Sequence, residues 1–189
     1  MRPRDNPFAA HRLGRLAFRL PAGLTWDAFL ARCAAAHWRG AIVGPPGSGR
    51  STLIEQLAPR LHERGLTPHL FRITAESPVA EKEDLLTRVR AMRAPDVLLL
   101  DGAEQFSTRE WLTLYSAASP LAGCLITVLR TSRLPTLLET KTSPPLLADL
   151  TAELTGERLA DPAAAALFKR HVGNLRECLR ALYDQHALA

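Results

Sequence analysis

Apolar and polar positions along this chain alternate between two periods, and the switches between them mark out its elements. Trp26, Phe29, Leu30 and Cys33 follow the i, i+3, i+4, i+7 spacing of a helix face, with Thr25 placed to cap it. Ala41-Ile42-Val43 is a short apolar run of strand type, and Leu53, Ile54, Leu57 and Leu61 then return to the helical period. Residues 69–74 alternate like a half-buried strand. Pro78 opens a helix with Leu85, Leu86, Val89 and Met92 inward, and Asp96–Asp101 is a second apolar run that ends in an acid. Ser107 and Glu110 have capping-box spacing ahead of Trp111, Leu114, Tyr115 and Ala118. Residues 123–129 and 134–139 read as two further strands.

Beyond residue 140 only helical patterns remain. Ser143-Pro144 starts a helix with Leu146, Leu147, Leu150 and Leu154 on one face, stopped at Gly156. Asp161-Pro162 opens the next, which Gly173 closes. Asn174 with Glu177 caps the last, whose apolar face is Leu175, Leu179, Leu182 and Tyr183. Strands alternating with helices and then helices alone predict an α/β protein: a parallel sheet of about five strands with a small C-terminal helical appendage. The expected partition is an arm over 1–24, an α/β core over 25–156 and a helical lid over 157–189.

Between the first strand and its helix lies Gly44-Pro45-Pro46-Gly47-Ser48-Gly49-Arg50-Ser51-Thr52. This follows the phosphate-binding pattern G-x-x-x-x-G-K-[ST] in the strand–loop–helix context that the pattern requires. Glycines let successive N–H groups converge on one point, and the positive end of the following helix favours a polyphosphate there. Residues 44–52 are thus the expected nucleotide contacts, with the Ser51 hydroxyl a candidate ligand for Mg²⁺. Arg50 stands where the pattern has lysine, a planar fork in place of a compact point charge.

Asp101 ends its strand 50 residues beyond Ser51. Ligands of parallel sheets bind outside the carboxyl ends of the strands, so Asp101 is the second candidate metal ligand. Many such ATPases place glutamate directly after this acid to polarise water. Here that place is Gly102, and Glu104 is the nearest acid that can serve as base. Gln105 can orient water but cannot take its proton at neutral pH.

These motifs resemble the AAA+ and related P-loop NTPases. Leu100-Asp101-Gly102-Ala103-Glu104-Gln105 resembles the Asp-Gly-x-Asp-Glu variant of signalling NTPases of the NACHT and STAND type. Gly173-Asn174-Leu175-Arg176 is similar to the start of a lid helix in that group, which makes Arg176 the counterpart of the arginine that reaches the γ-phosphate. The resemblance also implies a polar sensor at the end of the fourth strand, either Thr127 or Thr131. An arginine acting on a neighbour's ATP would be Arg130 or Arg133. Asn6-Pro7-Phe8 is similar to the opening of the ExeA- and TniB-type ATPases.

Composition adds limits rather than detail. The apolar and charged fractions are those of an ordinary globular protein, and no run of 18 apolar residues exists to span a membrane. Cys33, Cys124 and Cys178 are scattered and odd in number, so they suggest neither a disulfide framework nor a metal site, and a reducing cytoplasm is expected. Lys and Arg outnumber Asp and Glu by five. Most of that excess lies in the first twenty residues, where Arg2, Arg4, Arg12, Arg15 and Arg19 face Asp5 alone. Such a basic arm can touch nucleic acid or an acidic partner.

The expected function is an ATP-binding, Mg²⁺-dependent switch that hydrolyses slowly, with ATP and Mg²⁺ as ligands, an unidentified protein or DNA partner and an oligomer within reach. Adenine is preferred because nothing resembles the Asn-Lys-x-Asp guanine reader. Two readings compete with it. One is a small-molecule or nucleotide kinase, and the other is a binding module that no longer turns ATP over.

Overall fold

The computed structural model describes residues 6–130 and 132–188. These form two compact units. One holds the described residues up to Phe18, Pro45–Gly49 and the chain from Lys141 onward; the other holds Arg19–Gly44 and Arg50–Thr140.

The larger unit is the α/β layer structure. Helix α2 (Trp26–Ala35) precedes strand β1 (Arg39–Val43), and α3 (Arg50–His62) leads to β2 (Thr67–Arg72). Then follow α4 (Val79–Ala91), β3 (Asp96–Asp101), a 3₁₀ turn over Ala103–Gln105, α5 (Thr108–Ala117), β4 (Gly123–Val128) and β5 (Thr136–Glu139). The strands lie in the order β2-β3-β4-β1-β5 with every pairing parallel. β3 and β4 are central and covered on both faces, so their residues are buried almost without a break. β2 is an edge strand; it alternates from His69 onward, and it tolerates Pro68 where a central strand would lose a ladder bond. One face is sealed by Leu85 and Val89 of α4 and Trp111 and Leu114 of α5. Leu53, Ile54, Leu57 and Leu61, the predicted stripe of α3, are likewise buried.

The smaller unit is helical: α1 (Ala10–Leu13), α6 (Pro144–Thr155), α7 (Asp161–Arg170) and α8 (Leu175–Leu188). Its core draws Leu147 and Leu150 from α6, Leu167 from α7, and Leu175, Cys178 and Leu179 from α8. Phe8 belongs to the same cluster. From the sequence, residues 1–24 are expected to form an extended arm, and here the structure differs. Asn6 and Phe8 are buried; Asn6 Nδ2 donates to the Tyr183 carbonyl at 2.9 Å, and Asn6 Oδ1 accepts from the Phe8 amide at 2.9 Å. The Phe8 ring lies 5.2 Å from that of His186. An apolar ring beside a side-chain amide that closes its own turn gives this segment a reason to pack, which its arginines concealed. Arg2, Arg4 and Asp5 lie outside the described residues.

Among the described residues no helix is long and apolar enough to cross a membrane.

Candidate functional site

β1 delivers the chain into the glycine loop, and the Gly44 amide extends the β1–β4 ladder by donating to the Val128 carbonyl at 3.1 Å. Pro45 and Pro46 have no N–H. Ser48 donates to the Pro45 carbonyl at 3.3 Å, closing a turn in which Gly47 and Gly49 take φ of 73° and 85°. Arg50, Ser51 and Thr52 open the 13-residue α3, and the first amides of a helix have no partner within it and form its positive end, the arrangement that receives an anion. Within the helical unit, Asn174 presses on the loop so closely that a Cβ on Gly47 would sit 2.0 Å from its Oδ1. The same Oδ1 accepts from the amides of Arg176 (3.1 Å) and Glu177 (3.3 Å), so Asn174 caps α8, as its position in the sequence predicts.

At the carboxyl edge of the sheet, Asp101 is buried and both of its oxygens are engaged. Oδ1 accepts from the Thr127 hydroxyl at 2.6 Å, and Oδ2 accepts from Arg72 Nε at 3.0 Å. Thr127 Oγ1 in turn accepts from the Gly102 amide at 3.0 Å. The strand order explains this cluster: β4 lies between β1 and β3, which sets Thr127 beside the acid strand. Of the two sensor candidates, Thr127 has this bond, and Thr131 lies outside the described residues.

Gly102 carries φ of 97°, and a Cβ there would meet the Ile73 carbonyl oxygen at 2.0 Å. No side chain fits directly after Asp101, which is a physical reason for the missing acid. Glu104 sits instead on the following 3₁₀ turn. Its Oε1 lies 3.4 Å from Arg50 Nη1, a long ion pair between largely buried side chains, and its Oε2 is buried without a hydrogen-bond partner. The basic residue of the loop and the candidate base therefore hold each other.

The remaining candidates are scattered. Arg176 is exposed at the start of α8. Arg130 is exposed, and Arg133, also exposed, donates to Thr108 Oγ1 at 2.8 Å. The Gln105 carbonyl accepts from Lys82 Nζ at 2.6 Å. Two residues absent from the sequence reading join the site. Arg72 bridges Asp101 and Glu55, donating through Nη2 to Glu55 Oε1. Position offered a signal for both: Arg72 ends the strand before that of Asp101, and Glu55 follows Ser51 by one helical turn.

No protein-family profile matches the sequence, and no protein of curated function does either. Solved structures do share the architecture. The RuvB Holliday junction branch migration motor of Thermotoga maritima aligns at 21% identity over 82% of this chain and 58% of its own, with a TM-score of 0.57. Two point variants of that protein align similarly, one at 21% identity over 82% and 58% (TM-score 0.57) and one at 20% over 84% and 61% (TM-score 0.56). This chain thus spans less than two thirds of the length of those proteins. At this level of identity the likeness concerns the fold alone, a five-stranded parallel sheet with flanking helices.

Proposed function

We propose that this chain binds ATP with Mg²⁺, hydrolyses it slowly, and presents its nucleotide state to a protein or DNA partner. The observation that supports this most is the glycine-rich sequence that leads from β1 into the head of α3, whose first amides have no partner within the helix, in a fold shared with the RuvB branch migration motor. The residues present suit Mg²⁺. Asp101 keeps a free lone-pair direction on each oxygen, and the Ser51 hydroxyl has no other partner among the described residues. No cluster of three His, Cys, Asp or Glu side chains able to hold a metal exists among those residues, but Mg²⁺ is ordinarily held by one or two carboxylates and the substrate's own phosphates. When bound, it would offset charge developing on the outer phosphates.

The protein's own groups then divide the work. Loop amides and Arg50 take the phosphates, which draws Arg50 away from Glu104. Glu104, freed of its ion pair, accepts a proton from the attacking water through the oxygen that has no partner. Thr127 fixes the Asp101 carboxylate in one orientation. α7 and α8 act as the lid, with Arg176 turning toward the γ-phosphate, and Arg130 or Arg133 is available to a neighbouring copy. The exposed Arg12 and Arg15 offer a contact for nucleic acid.

The Arg50–Glu104 pair also favours a second reading, binding without turnover, because the pair must part before Glu104 can reach water. Titration with fluorescent ATP, followed by measurement of phosphate in solution and on added acceptors, separates the readings. Free phosphate that falls at least about a hundredfold in Glu104→Gln, with ATP affinity kept, is the expected result. Binding with no release supports the second reading. No binding at millimolar nucleotide would remove both.

A further inference from the structure

Arg72 is the last residue of edge strand β2 and stands in register with Asp101 on β3. Registered residues on parallel neighbours project from the same face, about 5 Å apart, so the sheet itself sets this ion pair. Nε donates to Asp101 Oδ2 at 3.0 Å, and Nη2 donates to Glu55 Oε1. Glu55 lies four residues after Ser51 on α3, so those two side chains share a helix face. The Asp101 side chain is only 10% exposed and that of Arg72 is 51% exposed, so the buried end anchors a cation whose other end meets water.

We infer that Arg72 is a resident cation that competes with the divalent metal for Asp101, so that the affinity for ATP depends little on Mg²⁺ and the metal serves turnover rather than binding. This rests on the ATP-binding reading above. Thr127 has a single hydroxyl proton and gives it to Oδ1 while accepting from the Gly102 amide, so the carboxylate cannot turn away from Arg72 without breaking that chain of bonds. A guanidinium does not lose its charge at any working pH. It repels a divalent ion on the same carboxylate while adding to the positive field that attracts a triphosphate. The charged side chains joined by these contacts are Asp101 and Glu55 against Arg72. Removing Arg72 deepens the net charge of that set from one negative unit to two and frees Oδ2, and both changes favour a divalent cation.

The test uses the full chain. Fluorescent-ATP affinity is measured with Mg²⁺ and with EDTA, and Mn²⁺ binding to the protein–ATP complex is followed by the loss of the free-ion electron paramagnetic resonance signal. For the wild type, ATP affinity should change by less than about threefold between the two conditions. In Arg72→Gln, Mn²⁺ should bind on the order of tenfold tighter, and ATP affinity should become metal-dependent by a similar factor. Arg72→Lys keeps the charge and should restore wild-type behaviour, which a purely structural role for the residue does not predict. Mn²⁺ affinity in Arg72→Gln within twofold of the wild type would overturn the inference, as would a lysine variant that behaves like glutamine. A wild type that already binds ATP more than about tenfold tighter with Mg²⁺ would overturn it even if Arg72→Gln fails to fold. Absence of ATP binding in both conditions is a different outcome, which removes the nucleotide reading itself.

Discussion

The carboxyl ends of β3 and β4 and the helical unit that includes Pro45–Gly49 are built on different principles. At the strand ends neighbouring strands fix the polar groups of Asp101 and Gly102: the carboxylate is held by Thr127 and Arg72, and the Gly102 amide by Thr127. In the helical unit Asn174 lies against the loop at Gly47 and also caps α8, and Phe8 joins the core. The strand ends owe their polar arrangement to neighbouring strands, whereas the helical unit owes its own to a capping side chain and an apolar core.

Several substitutions probe that contrast. The largest effect is expected for Gly102→Glu, which would restore an acid directly after Asp101. Its Cβ would collide with the Ile73 carbonyl at a backbone angle that side chains avoid, so we expect more than about 4 kcal/mol of destabilisation in urea unfolding instead of faster hydrolysis. Phe8→Ala should cost about 3–5 kcal/mol, but in the helical unit alone. Cysteine labelling reads that difference. Burial pushes the Cys124 thiol up to about 12 and raises that of Cys178, so both should be inert in the native protein. In Phe8→Ala, Cys178 should become reactive while Cys124 stays protected; simultaneous labelling would mean that the two units unfold together.

Thr127→Val comes next, at about 2–3 kcal/mol, because it leaves the Asp101 carboxylate and the Gly102 amide each short of a buried partner. The smallest is Asn174→Ala. Loss of the cap should cost about 1 kcal/mol, seen as faster amide exchange in the first turn of α8, with the exchange of β3 and β4 unchanged.

How much of this was legible in the sequence follows from the same contrast. Periodicity located nearly every element, because a parallel strand buried on both faces must be an apolar run and a helix must show its stripe, as β3 and α3 do. The Ser107 capping box and the Thr25 cap were readable from spacing alone, and both form. Strand order was not readable, since periodicity carries no information about neighbours. With it went the pairing of Thr127 and Arg72 with Asp101, which depends on which strands lie side by side. The N-terminal segment was misread because five arginines outweighed Asn6 and Phe8, two residues whose partners lie some 177 positions away. The glycine loop and Asp101 could be named from local pattern, whereas the Arg50–Glu104 pair joins residues 54 apart in the chain and needed coordinates.

The central claim is that the loop amides between Gly47 and Thr52 receive a triphosphate. Titration of fluorescent ATP into the wild type and into Gly47→Val, whose side chain would collide with Asn174 at a left-handed backbone angle, tests it most directly. The account predicts saturable binding of the wild type with a dissociation constant below about 1 mM and loss of that binding in the variant, with its circular dichroism unchanged. A wild type that binds no nucleotide at millimolar concentration, or a well-folded variant that binds as tightly as the wild type, would contradict it.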